Sequence, residues 1–344
     1  MSGKLQLDDY SIPQRGGIKG KYNNICDVPG VKVGHCTIDR EDTHTGVTVI
    51  LPCEDNIFDK KMPAASVVFN GFGKTQGSIQ IDELGTLETP IAMTNTLNVG
   101  KVHDAMVEYM TERCKTDKVE MFSINPVVTE CNDCSINDIH LRAVEKSHVF
   151  EAIDNATVDF DMDDIGAGRG MICHGLKGGI GSASRILEIG EEKYTLSVLV
   201  LTNHGRMENL CLGRNEIGRE IVKTIEGNEV DKGSCIIIMA TDIPLDARQI
   251  KRIIRRASVG LARLGSFIGN GSGEVAIGFT TANRTKWDKD SPFEAKITLN
   301  ESLMDIPFEA MADCTEEAIV RSMINSETTT ALSGKVIHSL KEFI

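Results

Sequence analysis

An α/β fold is what the sequence predicts, and three stretches predict it. Residues 235–240 are an unbroken apolar run of strand length and residues 194–201 a long, largely apolar one, the pattern of buried strands. Residues 247–264 instead repeat apolar side chains at helical spacing. Ile250, Ile253, Ile254, Ala257 and Leu261 fall on one side, with Lys251, Arg252, Arg255, Arg256 and Arg263 at the other positions. By length alone 344 residues suggest about two domains, yet a large layered α/β fold accommodates them in one.

Taken in order, residues 1–24 are polar and read as a flexible arm without the apolar core of a signal peptide, so the chain is expected in the cytoplasm. Pro29-Gly30 is a turn leading into a first strand, residues 46–51 alternate into a second, and residues 66–70 form a third. The third ends in Gly71-Phe72-Gly73-Lys74-Thr75. A phosphate-binding loop would need glycine where Val68 stands, so nucleotide binding is rejected there. Residues 80–87 read as a short helix broken at Thr89-Pro90, and residues 91–97 as an apolar run containing Asn95. Residues 102–114 form a helix with Val102, Ala105, Met106, Tyr109 and Met110 on one face.

Residues 125–133 are non-helical and gather Glu130, Asn132 and Asp133, either as a solvated loop or as part of a site. Two glycine-rich runs, 166–170 and 177–185, flank a short strand at 171–174 and suggest sharp hairpin turns near a site. The strand at 194–201 exits into Thr202-Asn203-His204-Gly205, where Asn203 is a turn residue or an oxyanion donor. Residues 209–230 read as a polar connection. Asp246 is a suitable N-cap for the helix after it, and Gly265 ends that helix. Asn270-Gly271-Ser272-Gly273-Glu274 leads into a strand at 275–280, and a last helix spans about residues 307–324.

Composition excludes several classes of function. A net charge of -13 and a pI near 5.2 argue against nucleic acid and anionic membrane as partners. No 18-residue apolar run offers a transmembrane helix. The 10 cysteines are expected as reduced thiols. Cys131 and Cys134 form the one Cys-x-x-Cys; with no second pair to complete a zinc site, they read as ordinary small hydrophobes. Aromatic residues are only 5 %, so the core must be mainly aliphatic.

Gly233-Ser234 carries the chemical question. Ser234 would open a strand buried on both faces, an odd place for a hydroxyl. Gly-Ser is ordinary turn composition. The alternative is a self-cleavage site, because a serine freed at its own N-terminus carries an α-amine of pKa roughly 8 that can serve as base for its own hydroxyl.

Eight blocks occur in order: DVPGVKVGH from Asp27, NGFGKTQG from Asn70, DELGTLETPI from Asp82, NPVVTECND from Asn125, GAGRGMICHGLKGGIGSASR from Gly166, GSCIIIMATDIPLDARQIKR from Gly233, NGSGE from Asn270 and TEEAI from Thr315. Together they resemble the peptidase family of L-aminopeptidase/D-esterase-amidase and the β-aminopeptidases, over residues 25–329. That resemblance implies a four-layer αββα sandwich, similar to Ntn-hydrolases but differently connected. It also implies one catalytic domain, residues 25–344, cut into chains 1–233 and 234–344 that stay together. By the same resemblance Ser234 is the nucleophile, Ser272 and Glu274 are its partners, and Asn203 is the oxyanion donor. Glu130 grips the substrate amine and Asn132 lines the same pocket.

The implied activity is hydrolysis of an N-terminal aminoacyl residue from small peptides, amides or esters through an acyl-enzyme. No metal or organic cofactor is implied, and the assembly expected is a homotetramer. Two departures bear on substrate choice: Asn132, Cys134 and Ser135 stand where some members carry an aromatic residue, and His204 stands where many do. Two other readings stay open, an unprocessed oligomeric scaffold and an acyl transferase similar to the ornithine acetyltransferases, which use threonine as nucleophile.

Overall fold

The strands and helices follow from where the apolar residues can be buried. A computed structural model describes residues 16–213, 215–225, 233–286 and 292–344. Beyond the Pro29-Gly30 turn run β1 (Lys32–Arg40), β2 (Thr43–Leu51) and β3 (Lys60–Gly71). The helix expected at residues 80–87 is shorter: α1 (Ser78–Leu84) stops where Gly85 takes φ +66°, and Thr86–Leu87 turns back as β4 to pair with β3. Next come β5 (Ile91–Asn95), α2 (Val99–Asp117), β6 (Val127–Cys131) and α3 (Lys146–Asp154).

All of β6 is buried and pairs in parallel with β5, so the solvated-loop reading of residues 125–133 is corrected for its central part. The short strands β7 (Ile172–Cys173) and β8 (Leu176–Lys177) form a hairpin around His174 and Gly175. Both turn residues have positive φ, +49° and +70°, as a two-residue type I′ turn requires. This is one of the sharp turns that the glycine-rich runs suggest. The long strands β9 (Ile180–Ile189) and β10 (Glu192–Asn203) follow.

The polar connection at 209–230 contains α4 (Ile217–Thr224), which buries Ile217 and Ile221; residue 214 and residues 226–230 of that reading lie outside the described residues. After β11 (Ser234–Thr241) the long helix expected at 247–264 is two helices, α5 (Ala247–Ile254) and α6 (Ala257–Arg263). The α ladder tightens between them. Arg256 N–H donates to the Ile253 carbonyl and Val259 N–H to Arg256, both three residues back. Asp246 caps α5 as expected, accepting from Gln249 N at 2.7 Å. The chain closes with β12 (Gly273–Thr280), β13 (Thr285–Lys286), α7 (Asp305–Ile324), β14 (Thr329–Thr330) and β15 (Val336–Ile337).

Two main sheets result. One has the order β1-β2-β5-β6, the other β13-β3-β12-β11-β10-β9. Val33, Ile50, Met93 and Val127 of the first meet Leu199, Ile236, Ile238 and Ile277 of the second in one apolar layer. Helices α2 and α3 cover the outer face of the first sheet through Val102, Met106, Val149 and Ala152. Helices α4 to α7 cover the outer face of the second through Ile221, Ile250, Leu261, Met311 and Ile319. The layers are therefore helix, sheet, sheet, helix, and the αββα expectation holds. No helix among the described residues is long and apolar enough to cross a membrane.

The described part of the N-terminal arm, residues 16–24, is not loose. Gly16 N donates to Asp313 Oδ2 at 3.0 Å, Ile18 bridges to Ile186, Lys19 pairs with Glu317 at 2.8 Å, and Asn24 is buried. Helix α7 offers these buried carboxylates, which is why its sequence lacks a clean polar face. Arg185, fully buried, reaches Glu317 at 2.8 Å from below.

Candidate active site

The site forms where β11 begins. Alternation along a strand sends Ser234, Ile236 and Ile238 to one face, and that face looks into the layer between the two sheets. Ser234 lies opposite Asn203 of antiparallel β10 and opposite Gly273 of parallel β12. These neighbours leave no room for side chains at the bond before Ser234. A Cβ on Gly233 would fall on the Asn203 carbonyl, and one on Gly273 would sit 2.6 Å from the Phe72 carbonyl and 3.0 Å from Ser234 Oγ. The Gly233 carbonyl accepts from Gly273 N at 2.9 Å, which fixes and polarises the peptide bond that precedes Ser234.

A cavity of about 730 Å³ opens at this point, and Glu130, Asn132, Asn203, His204, Gly233 and Ser234 are among the residues that line it. The structure thus brings together five of the seven residues expected from the sequence. The other two, Ser272 and Glu274, do not line the cavity. They are fully buried, joined by a short hydrogen bond from Ser272 Oγ to Glu274 Oε1, and flank Gly273 on β12. Strand alternation places them on the side of the sheet opposite Ser234 Oγ.

Glu130 is 2 % exposed although it lines the cavity. Lys74 N donates to its Oε1 at 3.0 Å and Thr96 Oγ1 makes a short hydrogen bond to its Oε2. A carboxylate has about four acceptor positions, so two hydrogen bonds leave capacity for a ligand N–H. Neither Lys74 nor Thr96 was expected at the site. The stretch from Asn70 supplied a signal: its Gly-Lys-Thr, rejected as a phosphate loop, presents a backbone N–H to Glu130. Asn70 itself holds the turn before β12, donating to the carbonyls of Gly269, Asn270 and Ser272.

Asn203 is clamped at both ends of its amide. Its Oδ1 accepts from Ile172 N at 2.9 Å and its Nδ2 donates to the Asn132 carbonyl at 2.9 Å. The amide nitrogen carries a second N–H. Asn132 contributes that carbonyl, while its own side chain accepts from Cys134 N at 3.0 Å. Asp133, next in sequence, turns inward instead. It is held by Asn95 and Asn137, and burial pushes its carboxyl up to about 6.

The Cys-x-x-Cys residues part company. Cys134 is exposed, whereas Cys131 is buried with its thiol directed at the Ser234 carbonyl, 3.4 Å away, and burial holds that thiol well above its ordinary pKa. All ten cysteines stand outside disulfides. Two other buried bases stand near the glycine-rich turns. Lys177, fully buried in β8, donates to the carbonyls of Gly178 and Gly168, and burial lowers its pKa to about 7. His204 is held well below the usual imidazole range, first by burial and then by the neighbouring His174 ring.

A hydroxyl at the start of a buried strand, a clamped amide opposite it and a buried carboxylate lining the same cavity are the groups that acyl transfer requires. Comparison with known proteins bears on the family. The model of peptidase family S58 matches residues 23–337. The beta-peptidyl aminopeptidase BapA of Sphingosinicella xenopeptidilytica is 35 % identical over 356 residues, an alignment covering 96 % of this chain and 88 % of that protein.

Among solved structures, the PH0078 protein from Pyrococcus horikoshii OT3 superposes with a TM-score of 0.91 at 42 % identity, covering 98 % of this chain and 96 % of that one. The L-aminopeptidase D-Ala-esterase/amidase from Ochrobactrum anthropi gives 0.90 at 33 % identity, covering 97 % and 95 %. That enzyme is described as a prototype for the serine aminopeptidases and a new variant among the Ntn hydrolase fold.

Proposed function

The chain belongs to peptidase family S58 and is a peptide hydrolase, and from that premise we propose a self-processing serine aminopeptidase or amidase. The observation that carries the reading is the setting of Gly233-Ser234: a serine opening a buried strand, lining a cavity, behind a carbonyl held by a backbone N–H. In the intact chain Ser234 Oγ attacks the Gly233 carbonyl carbon. The C–N bond breaks, the acyl group moves to oxygen, and the proton from Oγ ends on the new α-amine. Water then hydrolyses the ester, leaving a Gly233 carboxylate and a free Ser234 amine. The products are chains 1–233 and 234–344 of one catalytic domain.

In turnover the same Oγ attacks the carbonyl of an N-terminal aminoacyl group while its own amine takes the proton, a base whose ordinary pKa of roughly 8 suits neutral pH. Ser272 and Glu274 orient that amine from the buried side of the sheet. The second N–H of Asn203 meets the oxyanion. Glu130 pairs with the substrate ammonium, which restricts cleavage to the first residue of a small peptide, amide or ester. The family resemblance adds a homotetramer of processed units.

The decisive experiment is an intact mass of freshly purified protein under denaturing conditions. Two species, one ending at Gly233 and one beginning at Ser234, are expected. One full-length species, stable for days and inert toward α-, β- and D-aminoacyl p-nitroanilides, would move the assignment to an unprocessed scaffold. Glu130→Gln separates binding from processing. Loss of one charge-assisted interaction of about 1.5–3 kcal/mol should raise KM by roughly 10–100-fold. The yield of cut chain should not change. Equal loss of both would make Glu130 structural.

A further inference from the structure

The geometry points to a transition-metal site of zinc type beside the cavity, formed by Cys173, His174 and His204. One donor atom from each residue lies within 4.8 Å of the others, and all three side chains are buried. Cys173 Sγ and His204 Nδ1 are 3.9 Å apart. A sulfur and a nitrogen sharing a tetrahedral zinc stand about 3.5 Å apart, so this pair closes with a shift of a few tenths of an ångström, and the third donor, within 4.8 Å, with one of about 1 Å. One thiol and two imidazoles form the borderline-soft donor set that selects zinc, cobalt or copper over magnesium and calcium.

The surroundings are built for it. Cys173 and His174 are fixed by the tight β7–β8 turn, and His204 follows the last residue of β10. His174 Nδ1 lies 3.0 Å from the Arg206 carbonyl. Donation from that nitrogen leaves Nε2 as the lone-pair nitrogen, the usual outer-shell arrangement for a ligating histidine. Gly205 gives the ring its space, since a Cβ there would stand 2.5 Å from His174 Nδ1. His204 and Gly175 line the cavity, so the donors lie directly against it, and three protein donors leave a fourth coordination position open.

This site is separate from the hydrolytic machinery but touches it. Ile172, on the same hairpin, holds Asn203, and His204 is the residue after Asn203. Closing an ion between the hairpin and the end of β10 draws Cys173 and His204 together, which shifts the Ile172 N–H and the strand end that hold the Asn203 amide and moves its second N–H off the oxyanion. Zinc should therefore inhibit hydrolysis, reversibly with a chelator. That consequence rests on the proposed aminopeptidase activity, whereas metal binding itself does not.

The test uses chelator-stripped, full-length protein titrated with Co²⁺ as a spectroscopic stand-in for zinc. One equivalent should bind per chain, with a thiolate-to-cobalt charge-transfer band. Cys173→Ser should abolish the band, and Cys134→Ser, at the exposed cysteine, should keep it. His204→Phe should weaken binding at least 100-fold. X-ray absorption at the zinc edge of the wild-type protein should show one sulfur and two imidazole nitrogens, which keeps the test open if a variant fails to fold. No band, a band that survives Cys173→Ser, affinity unchanged in His204→Phe, or an edge spectrum without sulfur would each overturn the site.

Discussion

Ser234→Ala should give one uncut chain that hydrolyses none of the aminoacyl substrates. The substitution removes the Oγ that attacks the Gly233 carbonyl, so no ester forms and the peptide bond stays. It also leaves the α-nitrogen inside an amide, without basicity. Nucleophile and base vanish together, and the loss in kcat should be on the order of 10⁶, as for other serine nucleophiles. The fold should persist, because alanine fits a position that is already 96 % covered and whose strand pairs through its backbone. Intact mass reads the first effect, p-nitroaniline release the second, and circular dichroism the third. A cut or active Ser234→Ala protein would remove Ser234 from the mechanism.

Asn203→Ala should lower kcat about 10²–10³-fold, the usual cost of one oxyanion donor, and change KM little. Asn203→Asp is the sharper variant. Aspartate can still accept from Ile172 N, so the hairpin stays anchored, but it gives up the donation to the Asn132 carbonyl, presents no N–H to a developing negative charge and adds one of its own. If Asn203 only fixes the hairpin, aspartate should restore activity that alanine loses. If it serves the oxyanion, aspartate should be as poor as alanine or poorer. The kinetics of both variants on one aminoacyl anilide decide between the roles.

Much of this site was legible because it is local in sequence. The glycine before Ser234, the apolar run after it and the amide ending β10 lie within single strands, where pairing and burial follow from residue type. The grip on Glu130 was not legible. Its hydrogen-bond partners Lys74 and Thr96 are 56 and 34 residues away, and only the packing of β3, β5 and β6 brings them together. The burial of β6 was hidden for a related reason: a glutamate on a strand reads as solvent-facing until its partners are known. The break between α5 and α6 left no trace, since hydrogen bonds three residues back change the ladder and barely disturb the apolar stripe. Ser272 and Glu274 were named through the family resemblance of NGSGE, which could not tell which side of the sheet they face.

The strand order has a consequence for how such a protein would live after maturation. β11 and β12 follow Gly233 in sequence, yet they lie between β3 and β10, which precede it. Cutting before Ser234 would therefore leave the later chain laced into the middle of the earlier chain's sheet, hydrogen-bonded along both flanks. The halves could not part without dismantling the second sheet. Once melted, they would have to find each other by diffusion, whereas the uncut chain keeps its two parts together at an effective concentration on the order of millimolar. Refolding of the matured protein should then be second order in protein concentration, while the uncut Ser234→Ala chain refolds at a rate independent of it. Maturation would commit the molecule to a fold it assembled as one chain, and its lifetime would be set by how slowly it opens.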